Sequence, residues 1–183
     1  MPHQVFISYS SADKSIANAI CSFLESEKIR CWYAPRDITP GIEYGEAILN
    51  AINVCKIMVV VLTAGANKSR HVRKEVERAV NKGLIIIPFR TEPILPDKSL
   101  EYFLSSEHWL DAMTPPLKQH IIKLCHTISS LEPSINISNT NAKMDSESDL
   151  KVIVKEFNEI APDEWIKPSN KFLNFIMGIF RDK

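Results

Sequence analysis

Residues 57–62 have the sequence Ile-Met-Val-Val-Val-Leu, the longest uninterrupted apolar run in the 183-residue chain. Its length and its β-branched residues are typical of a strand that is buried on both faces, as strands of parallel sheets are. The run is far shorter than the roughly 18 apolar residues that a membrane-spanning helix needs. It therefore predicts a central strand of a sheet.

Segments with helical periodicity flank this strand. Their apolar stripes consist of Ala47, Ile48, Ala51, Ile52 and Cys55 before the strand and of Val72, Val76, Ala79 and Val80 after it. Other short apolar runs lie at 5–9, 29–33 and 84–89, with a weaker run at 108–110. Two more helical segments follow Ser10-Ser11, which could cap the first of them, and Pro115-Pro116. This alternation predicts a parallel sheet covered by helices.

The composition changes near residue 131. Residues 131–149 are rich in Ser, Asn and Thr, which is typical of a linker. Apolar residues return at helical spacing in 150–183 and predict a C-terminal helical extension, for which docking on the domain is the simplest role. We therefore expect a domain at 1–130, a linker at 131–149 and a helical extension at 150–183.

Charge, glycine and cysteine content exclude several classes of function. The 22 Lys and Arg residues balance the 22 Asp and Glu residues, so the chain lacks the positive field that attracts nucleic acid or anionic membranes. None of the five glycines forms a phosphate-binding loop after a strand, and the four cysteines lack metal-ligand spacing. No secretory signal precedes the first strand. We expect a cytoplasmic protein with no metal site and no nucleic-acid or membrane partner.

Two polar segments follow the first two predicted strands. Residues 5–13 read Val-Phe-Ile-Ser-Tyr-Ser-Ser-Ala-Asp, and residues 31–41 read Cys-Trp-Tyr-Ala-Pro-Arg-Asp-Ile-Thr-Pro-Gly. They resemble the first box and the BB loop of a Toll/interleukin-1 receptor (TIR) domain. The resemblance continues through residues 69–79 and ends near Trp109, a position similar to the third box of the family. Three motifs in the family's order make the resemblance specific.

The resemblance implies a fold and a choice between two functions. The fold is α/β, a flavodoxin-like five-stranded parallel sheet with helices on both faces. Some family members are scaffolds that signal by assembling, whereas others, many of them bacterial, cleave NAD at the nicotinamide–ribose bond. The enzymes resemble one another in a glutamate on the helix after the third strand, and the matching residue here is Glu75. The resemblance therefore implies the bacterial NAD-cleaving type, with Glu75 as the catalytic residue, NAD as substrate and no cofactor.

Helical geometry gives a separate test of Glu75. At about 100° per residue, Glu75 lies at the edge of the apolar stripe, and His71 lies one turn earlier on the same side. A carboxylate at such a margin, near the carboxyl ends of strands, is partly desolvated and faces a cleft, which suits a catalytic acid. From spacing alone, a boundary glutamate that only solubilises the helix is the simpler explanation. The resemblance favours catalysis.

The resemblance also implies binding residues and an assembly loop. The residues expected around the substrate are Phe6, Ser8, Tyr9, Ser10, Glu43 and His71. The residues expected in the BB loop, which gates the pocket and contacts the next subunit, are Arg36, Asp37, Ile38, Pro40 and Gly41. Catalytic members often carry a tryptophan where this chain has His71. Core packing for Phe6 and simple solvent exposure for Glu43 and His71 remain alternatives, Pro40 and Gly41 could equally form just a turn, and Trp109 is expected in the core.

These residues lead to one expected function and two rivals. The expected function is a TIR NAD nucleohydrolase or cyclase that makes ADP-ribose or a cyclic ADP-ribose isomer as a signal, by family analogy in anti-phage defence. Its expected partners are further copies of itself, through the BB loop, and an effector that senses the nucleotide product. The rivals are a non-catalytic TIR assembly module, which His71 favours, and a nucleoside deoxyribosyltransferase-like enzyme, in which the BB loop would have no purpose.

Overall fold

The computed structural model describes residues 3–131. The strands are β1 Val5–Ser8, β2 Cys31–Trp32, β3 Ile57–Leu62, β4 Ile85–Arg90 and β5 Leu110–Asp111. The helices are α1 Lys14–Ser26, α2 Tyr44–Val54, α3 Ala64–Lys68, α4 Arg70–Lys82, α5 Lys98–Leu104 and α6 Leu117–Leu131. The predicted linker, apart from Leu131 at the end of α6, and the predicted helical extension lie outside the described residues.

The five strands form one parallel sheet in the order β2-β1-β3-β4-β5. β1 therefore lies between β2 on one side and β3 on the other, and the direction of the strand order reverses there. In open α/β sheets such a reversal opens a crevice beyond the carboxyl ends of the strands, where ligands bind. The architecture confirms the predicted α/β fold class and directs attention to the end of β1.

Alternate residues of the central strands face two separate cores. Val5, Ile7 and Val59 pack in a cluster with residues of α1 and α6. Phe6 and Met58 pack on the opposite face with residues of α2, α4 and α5. The helices therefore cover both faces of the sheet, as predicted.

The strands at the edges of the sheet are shorter than their apolar runs. The predicted second strand at 29–33 forms only Cys31–Trp32, paired with Val5 and Phe6 of β1. The backbone N–H of Tyr33 donates instead to Oδ2 of Asp37 at 2.9 Å, so the chain turns away from the sheet at this residue. The fifth strand is likewise confined to Leu110–Asp111.

Several helical details also differ from the predictions. The short helices α3 and α5 were not predicted; each is capped by a side chain, with Thr63 accepting from the N–H of Ala66 and Asp97 accepting from the N–H of Leu100. Ser10 makes no side-chain cap, since a 3-10 turn, Ser11–Asp13, precedes α1. Val80, expected in the apolar stripe, is 38% exposed because α4 buries a narrower face.

The described part of the chain has neither a membrane-spanning helix nor a cluster of metal ligands. No helix within residues 3–131 is long and apolar enough to cross a membrane. The same residues contain no group of three or more His, Cys, Asp and Glu side chains placed to hold a metal ion.

Candidate active site

A cavity of about 190 Å³ opens at the carboxyl end of β1. The β1 strand, the loop after β2 and the N-terminal turns of α2 and α4 all contribute to its wall. The residues that line it are Phe6, Ile7, Tyr9, Ser10, Ser11, Ala34, Pro35, Tyr44, Ser69, His71 and Glu75. Five of the residues singled out in the sequence, Phe6, Tyr9, Ser10, His71 and Glu75, are therefore brought together.

Glu75 lies on the buried face of α4. The helix begins at a cap in which Ser69 Oγ accepts from the N–H of Val72 at 3.3 Å. Val72, Val76 and Ala79 then turn toward the sheet, and Glu75 shares their face at the i+3 position. Only 9% of Glu75 is exposed. The carboxylate is thus held more deeply than the margin that spacing predicts.

Ser8 is the hydrogen-bond partner of this carboxylate. As the residue two beyond Phe6, it points to the α4 side of the sheet, and it is 1% exposed. Its hydroxyl donates to Oε2 of Glu75 at 2.6 Å, across 67 positions of sequence. Ser8 does not itself line the cavity, so the structure places it behind Glu75 and makes it a support for the carboxylate.

The pKa of Glu75 is raised toward neutral pH. Burial disfavours the charged form and raises the pKa of Glu75 from 4.5 to about 7, although the hydrogen bond from Ser8 lowers it. A carboxyl group with this pKa exchanges a proton near physiological pH. It can accept a hydrogen bond from a substrate when ionised and stabilise positive charge beside it.

Two aromatic residues of the cavity wall, Phe6 and Tyr9, pack against other residues of the domain. Phe6 is 1% exposed, and its ring stacks on Trp32 with centroids 5.0 Å apart. The Tyr9 hydroxyl donates to the carbonyl of Ala34, and its ring meets the edge of Tyr33. Burial raises the pKa of Tyr9 to about 12, so the hydroxyl remains a donor at neutral pH. These residues shape the cavity.

Tyr44 was not anticipated from the sequence. It begins α2, is 47% exposed, and packs edge-on against His71 with ring centroids 6.0 Å apart. In the sequence, the available signal was an aromatic residue immediately after Glu43. The position of Tyr44 beside His71 depends on how α2 packs on α4. Ile7, Ser11, Ala34, Pro35 and Ser69 were missed in the same way.

Ser10 lies against the first turn of α3. A Cβ atom at Gly65 would come within 2.9 Å of Ser10 Oγ and 3.2 Å of Ser10 Cβ. A side chain at position 65 would therefore push Ser10 out of its place in the cavity wall. Glycine at this position lets α3 approach the loop after β1 closely.

The loop after β2 lies beside the cavity and is anchored at Arg36. The Arg36 guanidinium pairs with Glu25 of α1 at 2.9 Å, donates to the carbonyl of Cys31 at 2.8 Å, and lies over the Tyr33 ring. It also pairs with Asp37. The other predicted loop residues, Ile38, Pro40 and Gly41, do not line the cavity, and neither does the exposed Glu43.

Trp109 lies away from the cavity. It is half-buried, packs against the core on the α2 and α4 side, and donates its indole N–H to the carbonyl of Leu104 at 2.9 Å. Arg90 lies over its ring. The expected packing role agrees with this position.

Comparisons with known proteins give the family. The family profile described as TIR domain matches residues 5–124. No curated protein matches the chain significantly. Among solved structures, the TIR domain of the Toll-related receptor TRR-2 from Hydra magnipapillata is 25% identical, with a TM-score of 0.58; the match covers 68% of this chain and 96% of that domain.

A second solved structure has the same fold. The CMP N-glycosidase BcmB of Clostridium botulinum is 18% identical, with a TM-score of 0.50 over 68% of this chain and 98% of its own. At this identity the likeness concerns the fold alone. The family profile spans most of the described residues and carries the assignment: the chain belongs to the TIR domain family.

Proposed function

We propose that this protein is an enzyme that cleaves NAD at the nicotinamide–ribose bond, with Glu75 as the catalytic residue. The observation that carries the proposal is a buried carboxylate, supported by Ser8 at 2.6 Å, in the wall of a cavity at the end of β1. A carboxylate needed only for solubility would not be 9% exposed.

The chemistry requires little beyond this group. The C–N bond between ribose and nicotinamide breaks, and its electron pair leaves with nicotinamide, which departs neutral because it was cationic in NAD. Positive charge develops on the ribose, where an ionised Glu75 can stabilise it and accept hydrogen bonds from the ribose hydroxyls. Water then adds to the ribose carbon and loses a proton, giving ADP-ribose. Attack by a nucleophile of the same molecule gives a cyclic isomer.

A cavity of this size would hold only part of such a substrate. Its volume of about 190 Å³ is below the roughly 300–1,000 Å³ of pockets that enclose a whole ligand. A nicotinamide ring with its ribose is the part that must meet Glu75. The remainder of NAD would extend past the loop after β2, toward the predicted BB-loop residues Arg36, Asp37, Ile38, Pro40 and Gly41 and toward Glu43.

The proposal includes the setting that the family implies. The protein acts in the cytoplasm, associates with further copies through the BB loop, and makes a nucleotide that an effector senses, in anti-phage defence by family analogy. Ser10 and His71, which line the cavity, bind the substrate, while Phe6 and Tyr9 shape the wall.

A non-catalytic assembly module is the second candidate. The observation that favours it is the exposure of three apolar residues on or just before α2: Ile42, Leu49 and Val54. An assembly module would keep its self-association when Glu75 is changed and would consume no NAD at any concentration.

The test is nicotinamide release from NAD at high protein concentration, because assembly can be required for activity. Wild type is compared with Glu75→Gln and with Glu77→Gln, which changes an exposed glutamate of the same helix. We expect release by wild type and Glu77→Gln and none by Glu75→Gln, with mass spectrometry identifying the nucleotide product. CMP is included as a second N-glycoside. Release that is equal in all three proteins, or in none, contradicts the proposal.

A further inference from the structure

The proposed reaction needs a surface for the departing base, and four of the side chains that line the cavity are aromatic. They are Phe6, Tyr9, Tyr44 and His71. Phe6 is 1% exposed and stacked on Trp32, so its face is covered. Tyr9 is fixed by its hydroxyl to Ala34 and by its ring to Tyr33. Phe6 therefore offers no open ring face, and Tyr9 is less exposed than Tyr44.

Tyr44 differs from both. Nearly half of it, 47%, is exposed, although it lies in the wall of the cavity. Its backbone is well fixed, since it begins α2, which is anchored by the buried residues Ala47, Ile48, Ala51 and Ile52. The His71 ring lies at 79° to the Tyr44 ring, so the two rings are not stacked face to face. A fixed, half-exposed aromatic that His71 does not cover by stacking is suited to stacking on a flat ligand.

The charges around Tyr44 favour a cationic ring over an anionic one. Among the described residues, those that line the cavity include no Lys or Arg. Glu75 is the acidic group of the wall, and its charge acts on Tyr44, whose pKa is raised first by burial and then by Glu75. Aromatic faces attract cations through their quadrupole. A pyridinium ring therefore fits this position better than a base that carries a negative group.

We infer that Tyr44, with His71 at its edge, is the stacking surface for the pyridinium base of the substrate and determines specificity for it. The inference rests on the proposed function for the identity of the substrate. It assigns to Tyr44 the aromatic surface that His71 provides only in part. The ring holds the base beside Glu75 before the bond breaks and takes no part in the covalent step.

The experiment measures NAD turnover and nicotinamide inhibition in Tyr44→Leu and Tyr44→Phe. Tyr102→Leu is the matched control, because Tyr102 is 81% exposed and lies on α5, outside the cavity. We expect Tyr44→Leu to raise both KM for NAD and the inhibition constant of nicotinamide by roughly tenfold, the size of one base–aromatic stacking contact, with little change in kcat. Tyr44→Phe should recover most of the loss, and Tyr102→Leu should behave as wild type.

A binding measurement separates this inference from the proposed reaction. NAD binding to Glu75→Gln is compared with and without Tyr44→Leu by calorimetry. If wild type cleaves NAD while Tyr44→Leu leaves KM and inhibition unchanged, or if Phe fails to rescue, the inference is overturned and the proposed function stands. If no cleavage occurs but Tyr44→Leu weakens NAD binding tenfold, the inference holds without the reaction. Absence of NAD binding overturns both.

Discussion

Two hydroxyl–carboxylate pairs lie at the same edge of the sheet and lead to different roles. Ser8 at the end of β1 donates to Glu75 at 2.6 Å, and Thr63 after β3 donates to Asp13 at 2.6 Å. In both pairs the hydroxyl residue is 1% exposed, and burial is the main cause that raises the pKa of the carboxyl group. The bond lengths and the residue types alone do not distinguish the pairs.

Their surroundings do distinguish them. Thr63 Oγ1 also accepts from the N–H of Ala66, so the Thr63–Asp13 pair joins the 3-10 turn to the cap of α3. Glu75 has its hydroxyl partner behind it and the cavity in front. Neither Asp13 nor Thr63 lines this cavity, and Asp13 is the less buried of the two carboxylates. Glu75 is both buried and part of the cavity wall, which is the combination that makes a carboxylate available for chemistry.

The largest expected difference between the pairs is in NAD turnover. Glu75→Gln keeps the size of the side chain but removes the charge that would stabilise the ribose cation, so turnover should fall by about 10²–10³-fold or more. Asp13→Asn changes the other pair in the same way and should retain activity per folded molecule. Initial rates of nicotinamide release, with folding checked by circular dichroism, measure both. Equal losses of NAD turnover in the two variants would show that Glu75 and Asp13 do not differ in role.

Glu75→Gln, which should lower activity, should raise the stability of the fold at neutral and alkaline pH. Because the pKa of Glu75 is about 7 in the folded protein and about 4.5 as its ordinary value, the folded state retains a proton that the unfolded state loses between these pH values. Wild type therefore loses stability as pH rises from 4.5 to 7, by on the order of 3 kcal/mol.

Glu75→Gln removes this loss. The variant should be more stable than wild type at pH 8, by up to about 3 kcal/mol, and the advantage should shrink as pH falls toward 5. Asp13→Asn should show the same sign and a smaller size, since Asp13 is less buried. Urea unfolding at several pH values is the measurement. A Glu75→Gln variant that is less stable than wild type at pH 8 would show that ionisation of the buried Glu75 does not destabilise the fold.

Removal of each hydroxyl sharpens the comparison further. Ser8→Ala deletes a hydrogen bond that lowers the pKa of Glu75, so this pKa should rise. The midpoint of the pH–rate profile should therefore move to higher pH, and activity at pH 7 should fall by about tenfold. Thr63→Val should instead cost about 1–2 kcal/mol of stability, because a helix cap is lost, and leave the midpoint unchanged. A shifted midpoint in Thr63→Val would mean that the two pairs are coupled.

The smallest expected effect is at the rim of the cavity. His71→Trp enlarges the aromatic surface beside Tyr44 and should lower KM for NAD by a few-fold, within about 1 kcal/mol. The same substitution has no counterpart near Asp13, because neither Thr63 nor Asp13 lines this cavity. Steady-state kinetics with NAD measures the change. A large loss of activity would show that the imidazole of His71 has a specific role.

Much of the fold could be predicted from local patterns. β3 and β4 are continuous apolar runs, and α4 ends at Gly83, whose φ of +72° lies in the left-handed region that glycine favours. The extent of β2 could not be predicted, because its end depends on the bond from Tyr33 to Asp37. Helices as short as α3 and α5 are defined by caps and contacts and have too few residues to show periodicity.

The candidate site could be predicted only in part. The position of Glu75 on α4 follows from helical spacing, but its support by Ser8 joins residues 67 positions apart. The position of the exposed Tyr44 beside His71 depends on the packing of α2 beside α4, which no local pattern contains. Residue type and spacing therefore indicate candidates, and tertiary contacts decide which of them share a cavity.

The most direct test of the account is the pH dependence of NAD cleavage, measured together with the titration of Glu75. Nicotinamide release by concentrated wild-type protein is followed from pH 5 to 9, and the Glu75 carboxyl is titrated by carbon NMR in the same buffers. We predict that kcat/KM rises about tenfold per pH unit below its midpoint, levels off above pH 7, and shares that midpoint with the carboxyl group. No NAD cleavage at any pH, or a rate that stays flat while Glu75 titrates, would contradict the account.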